Sequence, residues 1–480
     1  MPPRTIRGKH PGGSSSFQGT RARTMLPAFQ PRTVRELAYT LLERHRTQGT
    51  WVQELLQAAF ARGSWSPADR ALATELVNGV VRRRGTLAAI LAAVMPRPLA
   101  QVEPALLTLV QIGTYQLLFL DRVPGYAAVH ETVELTKVLG QRRWTTFVNG
   151  VLRGITRLLT DEWCDAPAAD AVPVAPGRHR RLHRAVFPDP ATAPAAFVAQ
   201  AYSLPEWLTV RWHARWTWSQ LLSVADAINA PPVLSVRVNT RRVGVRELWE
   251  RWTEAGIQAE CLPDLPVLRV AQPGAIELLP GYAEGWWLPQ DATAVRAALL
   301  LAPPRGGTVW DVCAAPGTKS THLADIVGPT GTVLATDVDA ERLNRVRENA
   351  RRLGFDNIRT ALVHEDGRDW PQGPFDAVLL DAPCSNTGVL HRRPEVRWRL
   401  RPCELEELSA LQRRLLHQAL ERVGPGGRLV YSTCSIEPEE NEQVVEGVLR
   451  QRPGVAQRAF QLYLPGFHGD GGYQSLLVVD

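Results

Sequence analysis

From about residue 289 onward, short apolar runs that read as strands alternate with segments of helical period, and this alternation limits the C-terminal half to very few architectures. Strands are expected over 309–312, 333–336, 358–363, 377–380 and 429–431. Strands separated by helices predict a doubly wound sheet with a mainly parallel core. Open sheets of this kind bind ligands beyond the carboxyl ends of their strands. Chemistry-bearing residues should therefore cluster just after these runs.

Three of the strand ends do carry such residues. After the first comes Asp311-Val312-Cys313-Ala314-Ala315-Pro316-Gly317-Thr318-Lys319-Ser320, a tight loop leading into a helix start. The small side chains of Ala314, Ala315 and Gly317 let the backbone approach a ligand, and a helix N-terminus offers free N–H groups to a carboxylate or phosphate. Asp337, at the end of the second run, is placed to accept hydrogen bonds from a ribose diol. Asp366, beyond the third, could bond an adenine amino group. A nicotinamide site is the obvious rival, but the loop lacks Gly-x-Gly-x-x-Gly, and S-adenosyl-L-methionine fits better.

Two cysteines follow later strands: Cys384 in Asp381-Ala382-Pro383-Cys384-Ser385 and Cys434 in Ser432-Thr433-Cys434-Ser435. Thiols beside a methyl donor have a specific use, because carbon 5 of cytosine is not nucleophilic until something adds to carbon 6. A thiolate can add there, after which carbon 5 attacks the methyl group and elimination restores the ring. Such a thiol needs positive charge nearby to ionise, for which Lys319, Arg392 and Arg393 are the choices. Asp381 could face the Watson–Crick edge of the base. The residues by themselves do not tell the two thiols apart.

The rest of the chain is helical and then mixed. Apolar residues recur at three- and four-residue spacing from about 33 to 159, as in Leu72, Leu76, Val77 and Val80 and again in Leu106, Leu109 and Ile112, which predicts an all-α domain over 31–164. Asp69, Pro104 and Pro124 mark helix starts or turns. A Pro- and Ala-rich stretch, 165–195, with Arg178-His179-Arg180-Arg181 in its middle, reads as a linker. Tryptophan-bearing helices and short alternating strands over 196–285 predict a small α+β subdomain, leaving 286–480 for the doubly wound one. Residues 1–30, basic and rich in Gly and Ser, read as a disordered tail.

Lys and Arg together number 55 against 48 Asp and Glu, a formal charge of +7 over 480 residues. Such an excess favours an anionic partner only where it is local. Six cysteines without a Cys-x-x-Cys pair argue against a zinc site or a disulfide framework and for a reducing cytoplasm. No apolar run approaches the length of a membrane span, so no membrane partner and no metal are expected.

Three pieces in order resemble one family: Cys313-Ala314-Ala315-Pro316-Gly317-Thr318-Lys319, then Asp381-Ala382-Pro383-Cys384-Ser385 followed by Thr387-Gly388-Val389, then Thr433-Cys434-Ser435 followed by Pro438-Glu439-Glu440-Asn441. The chain from about residue 31 resembles the Sun-type (RsmB) RNA cytosine methyltransferases of the bacterial small ribosomal subunit. The resemblance implies a multidomain chain: an N-terminal all-α NusB-like RNA-binding domain, a small α+β subdomain resembling RNA-recognition folds, and a C-terminal α/β Rossmann-like class I methyltransferase domain. It implies that the loop from Cys313 to Lys319, with Asp337, Asp366 and Asp381, contacts S-adenosyl-L-methionine. Cys434 would then be the nucleophile toward a cytosine of 16S ribosomal RNA, and Cys384 would assist release. Apart from the resemblance, a monomer is expected. Thr318 stands where a second glycine is common, His391-Arg392-Arg393-Pro394 has its His shifted, and Asp470-Gly471-Gly472-Tyr473 lacks the usual aromatic pair. Two other readings stay open: a methyltransferase for cytosines of tRNA or another ribosomal RNA, and a non-catalytic RNA-binding assembly or antitermination factor.

Overall fold

A computed structural model describes residues 30–480 apart from 272, 273, 275, 467 and 468. The expected basic tail thus lies outside the described residues, save for Gln30. Seven α-helices come first: α1 (Val34–Gln48), α2 (Val52–Arg62), α3 (Pro67–Arg82), α4 (Arg84–Val94), α5 (Pro104–Phe119), α6 (Gly125–Val138) and α7 (Thr145–Leu158). Their ends follow local chemistry. The Thr33 hydroxyl accepts from Glu36 N–H at the head of α1, and Ser66 and Asp69 cap α3 reciprocally. Pro104 opens α5 at a position whose N–H no helix would use. The periodic residues Leu76, Val77, Leu109 and Ile112 are fully or almost fully buried in one core.

The stretch expected as a linker is folded instead. Strands β1 (Leu159–Cys164), β2 (Ala171–Ala175) and β3 (Arg178–Leu182) form an antiparallel sheet in the order β1-β3-β2. Ala171, Val172, His179 and Leu182 turn inward, and the β2–β3 hairpin closes at Gly177, whose φ of +63° suits a glycine. The buried residues of β2, Ala171, Val172 and Pro173, are consecutive, so no alternation marks them as a strand among prolines and alanines. The basic cluster is also largely compensated: Arg178 pairs with Asp121, Arg180 with Asp161 and Arg181 with Asp170.

Three helices follow: α8 (Pro194–Ala201), α9 (Glu206–Arg215) and α10 (Trp218–Asn229). The sequence places them in the small subdomain, yet Phe197, Leu208, Trp212, Leu221 and Ile228 share the core of α1–α7. The small sheet is built from β4 (Leu234–Val238), β5 (Ala259–Cys261), β6 (Val267–Val270) and β7 (Trp287–Pro289), ordered β5-β6-β4-β7, with α11 (Val245–Glu254) packed on it. Its last strand, β7, falls beyond the expected boundary at 285.

The C-terminal part comprises α12 (Ala292–Leu301), β8 (Thr308–Asp311), α13 (Thr318–Val327), β9 (Thr332–Asp337), α14 (Ala340–Leu353), β10 (Ile358–Leu362), β11 (Phe375–Asp381), α15 (Val396–Arg399), α16 (Pro402–Leu420), β12 (Val423–Thr433), α17 (Glu442–Leu449), β13 (Val455–Tyr463) and β14 (Gly472–Val479). All five predicted strands are present. The sheet runs β10-β9-β8-β11-β12-β14-β13, parallel from β10 to β12, with β14 and β13 added antiparallel. Strand β11 explains why its sequence reads as one apolar run: Val378 and Leu380 enter the core on one face, Ala377 and Leu379 the core on the other. The strand order reverses between β8 and β11. A crevice for a ligand therefore opens at the carboxyl ends of those two strands.

Candidate active site

That crevice collects most of the residues singled out in the sequence. Gly317 caps α13 with φ +90°, and a Cβ there would lie 3.0 Å from the Val346 Cα, so the tight loop requires glycine. Asp337, nearly buried at the end of β9, accepts from Ala315 N–H at 3.2 Å and from Asp339 N–H at 3.2 Å, and pairs with Arg342 at 3.5 Å. It thereby ties the second strand to the first loop. Cys313 is part of the same loop, and burial, together with Asp337, Asp381 and Asp311, holds its thiol far above the ordinary range. It is a neutral lining residue.

Asp366 stands apart. Its side chain is exposed, lies 2.9 Å from His364 Nδ1 and forms a loose ion pair with Arg368 at 3.7 Å. No contact joins it to the loop or to Asp337 among the described residues. Backbone N–H donation from Arg368, then His364, draws its carboxyl below the usual value.

Asp381 and Ser432 are side by side in the β11–β12 register, and the Ser432 hydroxyl donates to Asp381 at 3.0 Å. The other Asp381 oxygen receives the Lys319 ammonium at 2.6 Å. Burial works against the charge of Lys319, but Asp381, Asp311 and Cys434 more than offset it, and its pKa is raised. Lys319 is thus the cation that faces Cys434. Arg392, another of the three choices, is committed elsewhere: it bonds both carboxylate oxygens of Asp470 at 2.7 and 2.8 Å and reaches Asp291 at 3.3 Å. His391 bonds the same Asp470 at 2.8 Å. The two unusual segments, His391-Arg392 and Asp470-Gly471, therefore close on one another.

The thiols of Cys384 and Cys434 lie 3.1 Å apart. Asn386, in left-handed conformation between them, donates to the Cys384 carbonyl at 2.8 Å and accepts from the Cys434 thiol at 3.2 Å. The hydrogen bond to Cys434, burial and the charge of Cys434 hold the Cys384 pKa well above the usual value. The two thiols are thus close enough to share a proton, and their different roles belong to the proposal below.

Beneath the pair lies a residue that the sequence shows only as part of a motif, with no role attached. Glu440 is fully buried, with no cation bonded to it among the described residues. It accepts from Ser385 N–H at 2.8 Å, from Gln412 at 3.0 Å, and from the hydroxyls of both Ser385 and Ser435. One carboxylate thereby fastens the turn after each thiol. Gly388 adds a backbone link, its N–H donating to the Cys434 carbonyl at 2.9 Å. Asp311 is another such residue. It ends β8, is buried, accepts from Ser320 at 2.6 Å, and has one oxygen, Oδ1, without a partner. Burial raises its pKa to about 7. The only signal was its position at the last residue of the first strand.

The loop and carboxylates suit S-adenosyl-L-methionine: Asp311 has an unused acceptor at the loop base, Asp337 a nearly buried carboxylate at the next strand, and α13 an open N-terminus. Fold and site together define a Rossmann-like methyltransferase of the adenosylmethionine-dependent class. A family model described as "16S rRNA methyltransferase RsmB/F" matches residues 298–468, "NusB family" matches 32–157, and "Methyltr_RsmF/B-like, ferredoxin-like domain" matches 204–277. A probable ribosomal RNA small subunit methyltransferase B of Synechocystis sp. is 34% identical over 437 residues, covering 90% of this chain and 92% of that protein. Ribosomal RNA small subunit methyltransferase B of Klebsiella pneumoniae strain 342 is 34% identical, covering 93% and 98%. Among solved structures, PH0851 superposes with a TM-score of 0.72 at 23% identity over 94% of this chain and 99% of that one. A methyltransferase homolog protein from Pyrococcus horikoshii gives 0.53 at 27% identity over 60% of this chain and 100% of that one. The chain belongs to the ribosomal RNA small subunit methyltransferase B family.

Proposed function

We propose that this protein methylates carbon 5 of a cytosine in 16S ribosomal RNA through a covalent bond between Cys434 and the base. The observation that carries the reading is the thiol pair, 3.1 Å apart, at the ends of neighbouring strands and next to the Lys319–Asp381 ion pair. S-adenosyl-L-methionine, held by the loop 313–319 and Asp337, would supply an electrophilic methyl group. The Cys434 thiolate, facing the Lys319 ammonium, adds to carbon 6 of the base and makes carbon 5 nucleophilic. Asp381, whose two oxygens are oriented by Ser432 and Lys319, bonds the base edge. Once carbon 5 carries the methyl group, its proton passes to a water molecule, the C–H electron pair closes the carbon 5–carbon 6 double bond, and the Cys434–carbon 6 bond breaks with its pair returning to sulfur. Cys384 holds a proton beside that sulfur and assists this release.

The target must be unpaired or extruded to reach the thiols. Small-subunit RNA is favoured over tRNA by the relatives' names and by the NusB-type match at 32–157, which accompanies the catalytic match in the same chain. Transfer of labelled methyl to deproteinised 16S RNA, 23S RNA and bulk tRNA, followed by digestion to nucleosides, tests it. Label in 5-methylcytidine from 16S RNA is expected. Label on another atom, or only in another RNA, would contradict it.

A further inference from the structure

A groove of about 410 Å³ lies between the helical half and α15, away from the thiol crevice. One wall is α1, α3 and α5, the other is the segment Glu395 to Arg399, and Arg84 stands at its edge. This segment continues the chain from the Cys384 turn, so the groove and the catalytic loop share one stretch of backbone.

Arg46, Arg84 and Arg399 line the groove against a single carboxylate, Glu395, which is buried and accepts from Val52 N–H at 3.0 Å. Arg46 is neutralised by Glu43 behind the wall, at 2.6 Å, and Glu43 also accepts from Thr108. Arg84 and Arg399 enter no ion pair among the described residues. Arg399 is pinned by the Gly49 carbonyl at 2.6 Å and lies 4.0 Å over the Trp51 ring. Arg84 is exposed, lies 5.7 Å over the Trp398 ring, and makes no hydrogen bond to a described residue. Protein around it is dense enough that burial pulls its pKa down, yet no described residue takes its N–H donors, which leaves the exposed ones for an anion. Trp51 stands beside the groove and is not one of its lining residues; Arg399 covers one face of its ring, and its 38% exposure leaves the rest of the ring to solvent.

We propose that this groove is a second RNA subsite, which takes an unpaired nucleotide flanking the target, with its phosphate on Arg84 and Arg399 and its base on Trp51. Two uncompensated guanidiniums beside an exposed indole make the combination that binds single-stranded nucleic acid: charge for the backbone, a flat ring for the base. The volume suits one nucleotide. Because α15 carries both Trp398 and the link to Cys384, a nucleotide seated there registers the strand against the catalytic loop. The inference rests on the RNA-methyltransferase reading for its consequence in catalysis, while the binding itself does not.

The test uses the full chain with Arg84→Glu, Trp51→Ala and, as a charge control, Arg450→Glu on the exposed end of α17. Affinity for deproteinised 16S RNA is measured from 50 to 300 mM salt, together with KM and kcat of methyl transfer and adenosylmethionine binding. Arg84→Glu should weaken RNA binding ~10-fold or more and flatten the slope of log affinity against log salt by ~0.7. Trp51→Ala should cost ~10-fold in affinity with the slope kept. Both should act on KM, leave kcat and adenosylmethionine binding unchanged and leave the melting temperature within two or so degrees of wild type. Equal losses in Arg450→Glu, or unchanged affinity in Arg84→Glu and Trp51→Ala, would overturn the subsite. If wild type methylates no RNA, the proposed function fails, and the affinity and salt slopes still decide the subsite.

Discussion

Glu440 shows how a single residue organises the thiols. Removing its negative charge while keeping its shape, as in Glu440→Gln, places an amide donor among hydroxyls that already donate to it, leaving two turns without a common acceptor. We expect kcat to fall at least 10-fold, with adenosylmethionine affinity within twofold of wild type; steady-state kinetics and equilibrium binding check this. Asp311 makes a prediction in pH. Its folded pKa of about 7 is above the unfolded 3.8, so the folded carboxyl keeps a proton that the unfolded chain has lost. Stability from this group is therefore greatest below about pH 4 and declines as pH rises to about 7. Asp311→Asn should remove the decline, gaining up to ~4 kcal/mol at pH 8 at ~1.4 kcal/mol per pH unit. Melting curves of both proteins from pH 5 to 8 test it, and a difference that does not grow with pH would count against it. Both thiols, the loop and Asp337 were legible because each follows a strand. Glu440 and Asp311 were not, because their importance lies in partners brought near by strand register and burial.

At the level of elements, the parallel strands were legible because both faces are buried and the runs are continuous. The β1–β3 sheet and the placing of α8–α10 were not, since an amphipathic helix does not name the core it joins. Their placement has consequences at the thiols. Glu437, two residues beyond Ser435, is gripped by α9: Trp212 donates to it at 2.7 Å and Arg211 and Arg215 lie at 3.3 and 3.6 Å. On the Cys384 side, the fully buried Arg397 of α15 donates to the Ser203 carbonyl at 3.0 Å, to Asn229 at 3.0 Å and to the Ile228 carbonyl at 2.9 Å. No carboxylate pairs with it among the described residues, and burial pulls its pKa well below the usual value. Arg397→Met would strand these acceptors. It should destabilise the fold by ~3 kcal/mol, read by denaturant unfolding, and a loss under 0.5 kcal/mol would contradict the role given to α15.

For the whole molecule, these grips tie the helical half to the two thiol-bearing segments. Leu390, Val396 and Ile436, from the two thiol-bearing segments, lie in the same core as α1–α10. A fragment of residues 234–480 would expose them and deprive Glu437 of its donors. It should be insoluble, or soluble without transfer activity, whereas the full chain should lose tryptophan fluorescence and activity in one thermal transition. Activity surviving in the fragment would show that the halves are independent.

The central claim is that Cys434 bonds the base and Cys384 lets it go, and the most direct measurement is a denaturing gel. Cys384→Ala, incubated with 16S RNA and adenosylmethionine, should leave a protein–RNA band that resists denaturation, and Cys384→Ala/Cys434→Ala should leave none. A persistent band in the double variant, or full methyl transfer by Cys434→Ala, would contradict the account.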